Sequence, residues 1–390
     1  MQRHIVVLGA GYAGANAAAR LAKRLHPADT RITLVNADAE FVERVRMHQL
    51  ATGQDLKPRA LTDVFAGTGV RVRIGRVAAV DADARTVKII DAGGPAEIAY
   101  DTLIYALGSA AADGGGEHAY DLAGKRSAQR LRDRLAELAA GDPVLVVGGG
   151  LTGIEAVTEI AETRPDLHVS LAARGGLGDW LGEKAQHHLR TAFDRLGITV
   201  LEHTAVEAVE PDHVTTAGGR SIPALVTVWT AGFAVHPLAA ATTLDVSATG
   251  QIVVDDTMRS VSHPDVYAVG DAAQAHGVNG TPLRMSCASG VPSAYHAADA
   301  IAARLTGRPV PPNRIGYTAQ CISLGRRDGI VQWVTPDDKP KPSAVTGRSA
   351  ARVKELICRA AAWSMSHPTS MLPSRRRRIH PATAPAPVAV

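Results

Sequence analysis

The chain has 390 residues, 46% hydrophobic, 21% charged and only 4% aromatic, with 37 Gly and 22 Pro. This composition excludes disorder, collagen and coiled coil, and calls for two or three cores built from Ala, Val, Leu and Ile. The formal net charge of +4 is too small for a nucleic-acid binder.

Cys287, Cys321 and Cys358 lie far apart and form no C-x-x-C. Neither a disulfide framework nor a zinc site is readable, and a reducing cytoplasm is expected. The first apolar run stops at Gly9, too short for a secretion signal. Ser221 to Leu244, the longest stretch without Asp, Glu, Lys or Arg, contains Pro223, Gly232 and Pro237, so it is not expected to span a membrane.

From the N-terminus, HIVVLGAGYAGANAAARLA predicts a buried strand, a glycine turn and a helix, and RITLVN closes a β-α-β unit. VRVRIGRVAAVDADARTVKII and YDTLIYALGS predict further strands. The joint Asp113 to Gly116 marks an interdomain crossing, and SAQRLRDRLAEL is helical. PVLVVGGGLTGIEAVTEIAE repeats the first motif, with Gly148, Gly150 and Gly153 in the register of Gly9, Gly11 and Gly14, and LHVSLAA closes a second unit.

VYAVGD predicts a buried strand ending on Gly270-Asp271, followed by the helix SAYHAADAIAARLTG. TAQCISLGRRDGIVQWV reads as a hairpin, DDKPKPSAVTG as a linker and ARVKELICRAAAWSM as a last helix. A Pro/Ala-rich tail expected to lack order starts at Pro381. The fold class is thus α/β, with two Rossmann-like dinucleotide-binding domains and a small α+β C-terminal region. The expected plan places one dinucleotide domain over residues 1–112 and 245–310, a second inserted over 113–244, and the C-terminal region over 311–390.

A dinucleotide site needs a tight turn, close backbone approach to pyrophosphate, and a helix N-terminus whose free N–H groups meet the negative charge. One G-x-G-x-x-G is weak evidence for this, but two in register, each between a strand and a helix, are strong. Gly9 to Gly14, Tyr100 to Gly108, Gly148 to Gly153, Trp229 to Gly232 and Val266 to Asp271 occur in a further meaningful order. Over residues 1 to 310 the chain resembles the two-dinucleotide-binding-domain flavoproteins of the pyridine nucleotide-disulfide oxidoreductase superfamily. With FVERVRMHQLATG and QCISLGRRDG it is similar to their NADH dehydrogenase-like branch, near the type II NADH dehydrogenases.

The resemblance implies FAD at Gly9, Gly11, Tyr12, Ala13 and Gly14, and NADH or NADPH at Gly148, Gly150, Leu151, Thr152 and Gly153. It places Gly108, Gly232, Gly270 and Asp271 beside the flavin. A glutamate near the nicotinamide and flavin corresponds to Glu155, the candidate catalytic residue, for nicotinamide positioning or proton delivery.

Departures from the pattern are informative. Where the first unit usually ends in a ribose-binding carboxylate stands Asn36, whose amide can still bind a hydroxyl. The second ends in Ala172-Ala173-Arg174, lacking the acid for a 2'-hydroxyl and offering a cation for a 2'-phosphate. The region where the superfamily's disulfide reductases carry redox cysteines reads FVERVRMHQL, so electrons are expected to pass directly to an acceptor. Arg44 and His48 are candidates to line that face. Type II enzymes carry a glutamine-rich helix start beside the quinone, whereas RMSCASGVPSAYHAAD stands here, with Cys287 read as a small core residue.

The last helix puts Val353, Leu356, Ile357 and Ala360 on one face, and Arg375 to Arg378 follow. Residues 351–390 carry a net +6, leaving −2 for residues 1–350. A basic amphipathic end suits peripheral contact at the cytoplasmic face of a membrane, as the resemblance also implies. The expected function is transfer of electrons from NAD(P)H through FAD to a small-molecule acceptor, foremost a quinone, by a monomer or homodimer that binds no nucleic acid and no metal. The alternatives are a reductase for a ferredoxin-like or rubredoxin-like protein, and a non-catalytic redox sensor.

Overall fold

A computed structural model describes residues 2–112, 114–370 and 375–380. The first half opens with β1 (Arg3–Leu8), α1 (Tyr12–Arg24), β2 (Thr30–Asn36), the short helix α2 (Met47–Ala51) and β3 (Val70–Ile74). After an antiparallel meander over residues 76–99, β4 (Thr102–Tyr105) and β5 (Ser109–Ala111) lead out of this unit. The second comprises β6 (Ala119–Tyr120), α3 (Lys125–Glu137), β7 (Pro143–Val147), α4 (Leu151–Thr163), β8 (His168–Ala172), α5 (Glu183–Arg195) and β9 (Thr199–Leu201). It is completed by β10 (Val226–Trp229), and β11 (Phe233–Val235) leads back. β12 (Val266–Ala268) and α6 (Cys287–Leu305) then rejoin the first unit, and β13 (Ala319–Ser323), β14 (Gly329–Val334), β15 (Pro340–Thr346) and α7 (Gly347–Ser366) close the fold.

Two parallel sheets organise the molecule. The first has the order β12-β4-β1-β2-β3, the second β9-β8-β7-β10-β6. Their central strands are uniformly apolar because both faces are covered: Ile5, Val6, Val7 and Leu8 are all 0% exposed. The chain leaves the first sheet after β4 and returns to it at β12, so the second unit is an insertion. The crossing is made by β5 and β11, paired antiparallel with Phe233 opposite Ala111. Gly114 packs where a Cβ would lie 2.2 Å from the Trp229 ring; Asp113 of the expected joint lies outside the described residues.

Two expectations at the C-terminal side change. The expected linker DDKPKPSAVTG contains β15, which pairs antiparallel with β14; Pro340 and Pro342 are tolerated because this strand lies at the sheet edge. α6 begins at Cys287, ahead of the expected start, and carries Pro292 inside it. The backbone of the basic run lies against the end of α1. Arg377 donates its N–H to Arg24 O (2.9 Å) and accepts from His26 N–H (2.9 Å), while Arg376 Nε donates to Ala22 O (3.1 Å). Cations thus gather at the carboxyl end of α1, where the helix dipole is negative. The tail from Pro381 lies outside the described residues.

Candidate functional site

The two glycine loops repeat one physical solution. Gly9 and Gly148 have φ of +95° and +123°, the left-handed region needed for the turn out of β1 and β7. A Cβ on Gly14 or Gly153 would lie 1.9 or 1.8 Å from the carbonyl of Gly9 or Gly148, so only glycine lets helix and strand approach. At Gly11 and Gly150 a Cβ would meet nothing within 4 Å. These two positions open onto the space over the N-termini of α1 and α4, neither capped by a side chain. The free N–H groups of Tyr12, Ala13 and Gly14, and of Leu151, Thr152 and Gly153, are what a pyrophosphate requires, and the cradles fit one dinucleotide each.

Around the first cradle, Asn36 ends β2 and accepts the Ala10 N–H on its Oδ1 (2.8 Å), while its Nδ2 donates to Asp38 O (2.8 Å). The amide therefore braces the loop and retains one Nδ2 hydrogen. Gly270 turns with φ +66° where a Cβ would press 3.0 Å from Ala13, bringing Asp271 beside α1. Ser109 Oγ donates to Asp271 Oδ2 (2.6 Å), and Arg44 Nη1 donates to Ser109 O (2.8 Å). Gly108 and Gly232 adopt φ of +69° and +100° at the edges of this cleft. Arg44 sits 5.8 Å from the centre of the Phe233 ring. The structure thus joins Gly108, Asp271 and Arg44, while Arg174 stands apart, exposed just beyond β8.

Glu155 lies inside, not at a solvated helix end. Its Oε1 accepts from Lys354 Nζ of α7 (2.6 Å) and from the Ser323 N–H of β13 (3.0 Å), and Lys354 also donates to Cys321 O (2.9 Å). Burial alone would raise the Glu155 carboxyl, but Lys354, His48 and the Ser323 N–H hold it below its usual range. Burial would lower the Lys354 ammonium, yet Glu155 keeps it above its ordinary value. His48 is buried, with no hydrogen-bond partner for Nε2. Its burial, reinforced by Lys354, Arg326 and Arg46 and opposed by Glu155, pulls the imidazole down to about 4. One turn along α4, Glu159 is 1% exposed and pairs with Arg326 of the β13–β14 turn.

Lys354 and Ser109 are the functional candidates that sequence reasoning missed. The signal for Lys354 was its four-residue spacing from Ala350 and Cys358, which with Ala362 and Met365 form the buried side of α7. The Cys287 expectation also falls: the residue is exposed to the cleft, not sealed in a core. The surrounding protein nevertheless pushes its thiol up to about 11, with Asp271 adding to the effect and Arg44 and Lys354 opposing it.

Two cradles on two parallel sheets, the second inserted into the first unit, meeting at a cleft with a buried acid and cation, define a two-dinucleotide α/β oxidoreductase. A family model for pyridine nucleotide-disulphide oxidoreductases matches residues 3–300, and the chain belongs to that family. An NADH dehydrogenase-like protein of Mycobacterium tuberculosis is 31% identical over 355 residues, covering 84% of this chain and 86% of its own. A type II NADH:quinone oxidoreductase of the same organism is 28% identical over 363 residues, covering 80% and 74%. The solved sulfide:quinone oxidoreductase of Aquifex aeolicus shares the fold, with a TM-score of 0.80 at 19% identity over 94% of this chain and 92% of that one. The chain is accordingly an FAD-dependent enzyme of the NADH dehydrogenase-like kind, using NADH or NADPH. Among the described residues no helix is long and apolar enough to cross a membrane.

Proposed function

We propose that this enzyme passes electrons from NAD(P)H through FAD directly to a quinone that reaches it from a membrane surface. The observation that carries the reading is the two-sidedness of α7. Its inner side inserts Lys354 against Glu155, while its outer side exposes Val353 (41%), Leu356 (68%), Ile357 (48%) and Trp363 (46%). A helix that both roofs the cleft and presents an apolar stripe suits a lipid-soluble acceptor. The related type II NADH:quinone oxidoreductase supports the same acceptor class.

Gly9, Gly11, Gly14 and Asp271 would hold the FAD, with Asn36 near its adenosine ribose, and Gly148, Gly150 and Gly153 the NAD(P)H. Bound FAD supplies hydride acceptance and onward electron transfer. The protein's residues position and balance charge: Glu155 stays ionised against Lys354, and the pair orients the nicotinamide side of the cleft. Arg174 selects NADPH, since β8 ends without an acid and with a free cation. The enzyme works at the cytoplasmic face of the membrane.

The test is flotation of holoenzyme with liposomes alongside reduction of quinones. Leu356→Asp/Ile357→Asp should abolish flotation and reduction of a long-chain quinone while preserving reduction of a water-soluble one. Retained flotation, or equal loss with both quinones, overturns the reading.

A further inference from the structure

The carboxyl ends of β8 and β9 carry an arrangement that the two glycine cradles do not explain. The loops following these strands are laced by backbone hydrogen bonds: Ala173 N–H to Leu201 O (3.0 Å), Thr204 N–H to Ala173 O (2.8 Å) and His203 N–H to Gly175 O (3.3 Å). His203 is held at φ +51°, a left-handed conformation that is unfavourable for a non-glycine residue and survives only where its surroundings impose it. The effect is to set His203 beside the residue that follows Arg174, with both Arg174 and His203 exposed on the same edge.

The charges nearby are arranged unequally. Glu202, which would repel an anion, is already paired: its Oε1 accepts from the Leu177 N–H (2.5 Å) and from Arg190 Nη2 (2.7 Å). Asp179 is the other carboxylate at this edge, its Oδ2 lying 2.7 Å from where a Cβ on Gly175 would stand. Among the described residues Arg174 enters no ion pair, and it is exposed. A phosphate monoester needs more than one donor, and a lone exposed arginine gives up much side-chain freedom to supply its own. An imidazole offers an N–H in either protonation state.

We propose that Arg174 and His203 together form the subsite for the 2'-phosphate of NADPH, His203 being the second donor. The inference rests on the reading that Arg174 selects NADPH. It adds a specificity residue from the strand after the one that ordinarily sets the choice.

The test is calorimetric binding of 2',5'-ADP and of 5'-ADP to FAD-loaded protein, without turnover. The expected result is a wild-type preference for 2',5'-ADP that falls about tenfold in His203→Ala, with 5'-ADP binding unchanged. Arg174→Ala should remove the preference, and His203→Gln, which keeps an N–H donor, should retain most of it. If the wild type shows no preference, the NADPH reading fails and this inference with it. If the preference disappears in Arg174→Ala but is untouched in His203→Ala, the NADPH reading stands and the role of His203 is overturned.

Discussion

Replacing Lys354 by Met removes one half of a buried ion pair. Glu155 is left in the interior with the Ser323 N–H as its remaining close donor, and breaking a buried pair from one side costs about 3 to 5 kcal/mol. At ~2.1 cal/mol/K per residue, the unfolding entropy of 390 residues is about 0.8 kcal/mol/K, so Tm should fall by about 4 to 6 °C. The double variant Lys354→Met/Glu155→Leu removes both charges and should recover most of that loss.

The effect has a defined pH range. Glu155 titrates below its usual value when folded, so its contribution is present above the unfolded carboxyl pKa and is lost as pH falls through the folded one. Lys354 titrates above its usual value, so its contribution persists until pH rises through that raised value. The deficit of Lys354→Met should therefore be constant through the neutral range and shrink in acid. Differential scanning fluorimetry of the holoenzyme, the single variants Lys354→Met and Glu155→Leu, and the double variant measures the coupling. Additive losses, with a coupling under about 0.5 kcal/mol, would refute the argument that the pair is buried and interdependent.

Gly150→Val should leave Tm and bound FAD unchanged and raise the KM for NAD(P)H at least tenfold, because the added side chain meets only the space open to the nucleotide. Gly153→Ala, by contrast, should destabilise the protein outright, its Cβ falling 1.8 Å from Gly148 O; equal stability of the two variants in thermal melts would contradict this. His48 is neutral when folded because its imidazole is held near 4, against 6.5 when free. The unfolded chain therefore binds the extra proton, and stability should drop by about 3 kcal/mol as pH falls from 6.5 to 4. Urea melts of His48→Leu should show a flatter acid limb, and an unchanged limb would exclude His48 as its source.

What was legible in the sequence was whatever the backbone decides locally. Gly9, Gly14, Gly148 and Gly153 are fixed by turn and packing geometry within six residues, so spacing alone located both cradles. β15 was hidden because Pro340 and Pro342 read as linker, and only its edge position makes them acceptable. The beginning of α6 was hidden by Gly290 and Pro292, which weaken a helix locally but are carried here by burial against α1. The opposite side of α7 was the least legible. Its large apolar residues Val353, Leu356 and Ile357 are exposed, while Ala350, Cys358, Ala362 and Met365 are the buried ones. Small residues let the helix approach closely, and Lys354 on their stripe is carried inward to an acid on α4, a partner 199 positions away in the chain. No local pattern encodes such a pairing.

The contacts of the C-terminal cations also change how the basic end should meet a membrane. The net +6 of residues 351–390 suggested electrostatic attraction to anionic lipid, but much of this charge is committed within the protein. Lys354 pairs with Glu155, Arg359 with Glu355 and Arg378 with Asp29, while Arg376 donates from its guanidinium to the end of α1. The exposed stripe of Val353, Leu356, Ile357 and Trp363 is what remains free to insert, at about 25 cal/mol per Å² of apolar surface covered. Flotation should therefore persist on zwitterionic vesicles and at about 0.5 M salt, where exposed charges are screened beyond a few Å. Alanine substitution of Arg375 to Arg378 should lower Tm and leave flotation intact. Binding that required anionic lipid and vanished in salt would show that the charge, not the apolar stripe, holds the protein to the membrane.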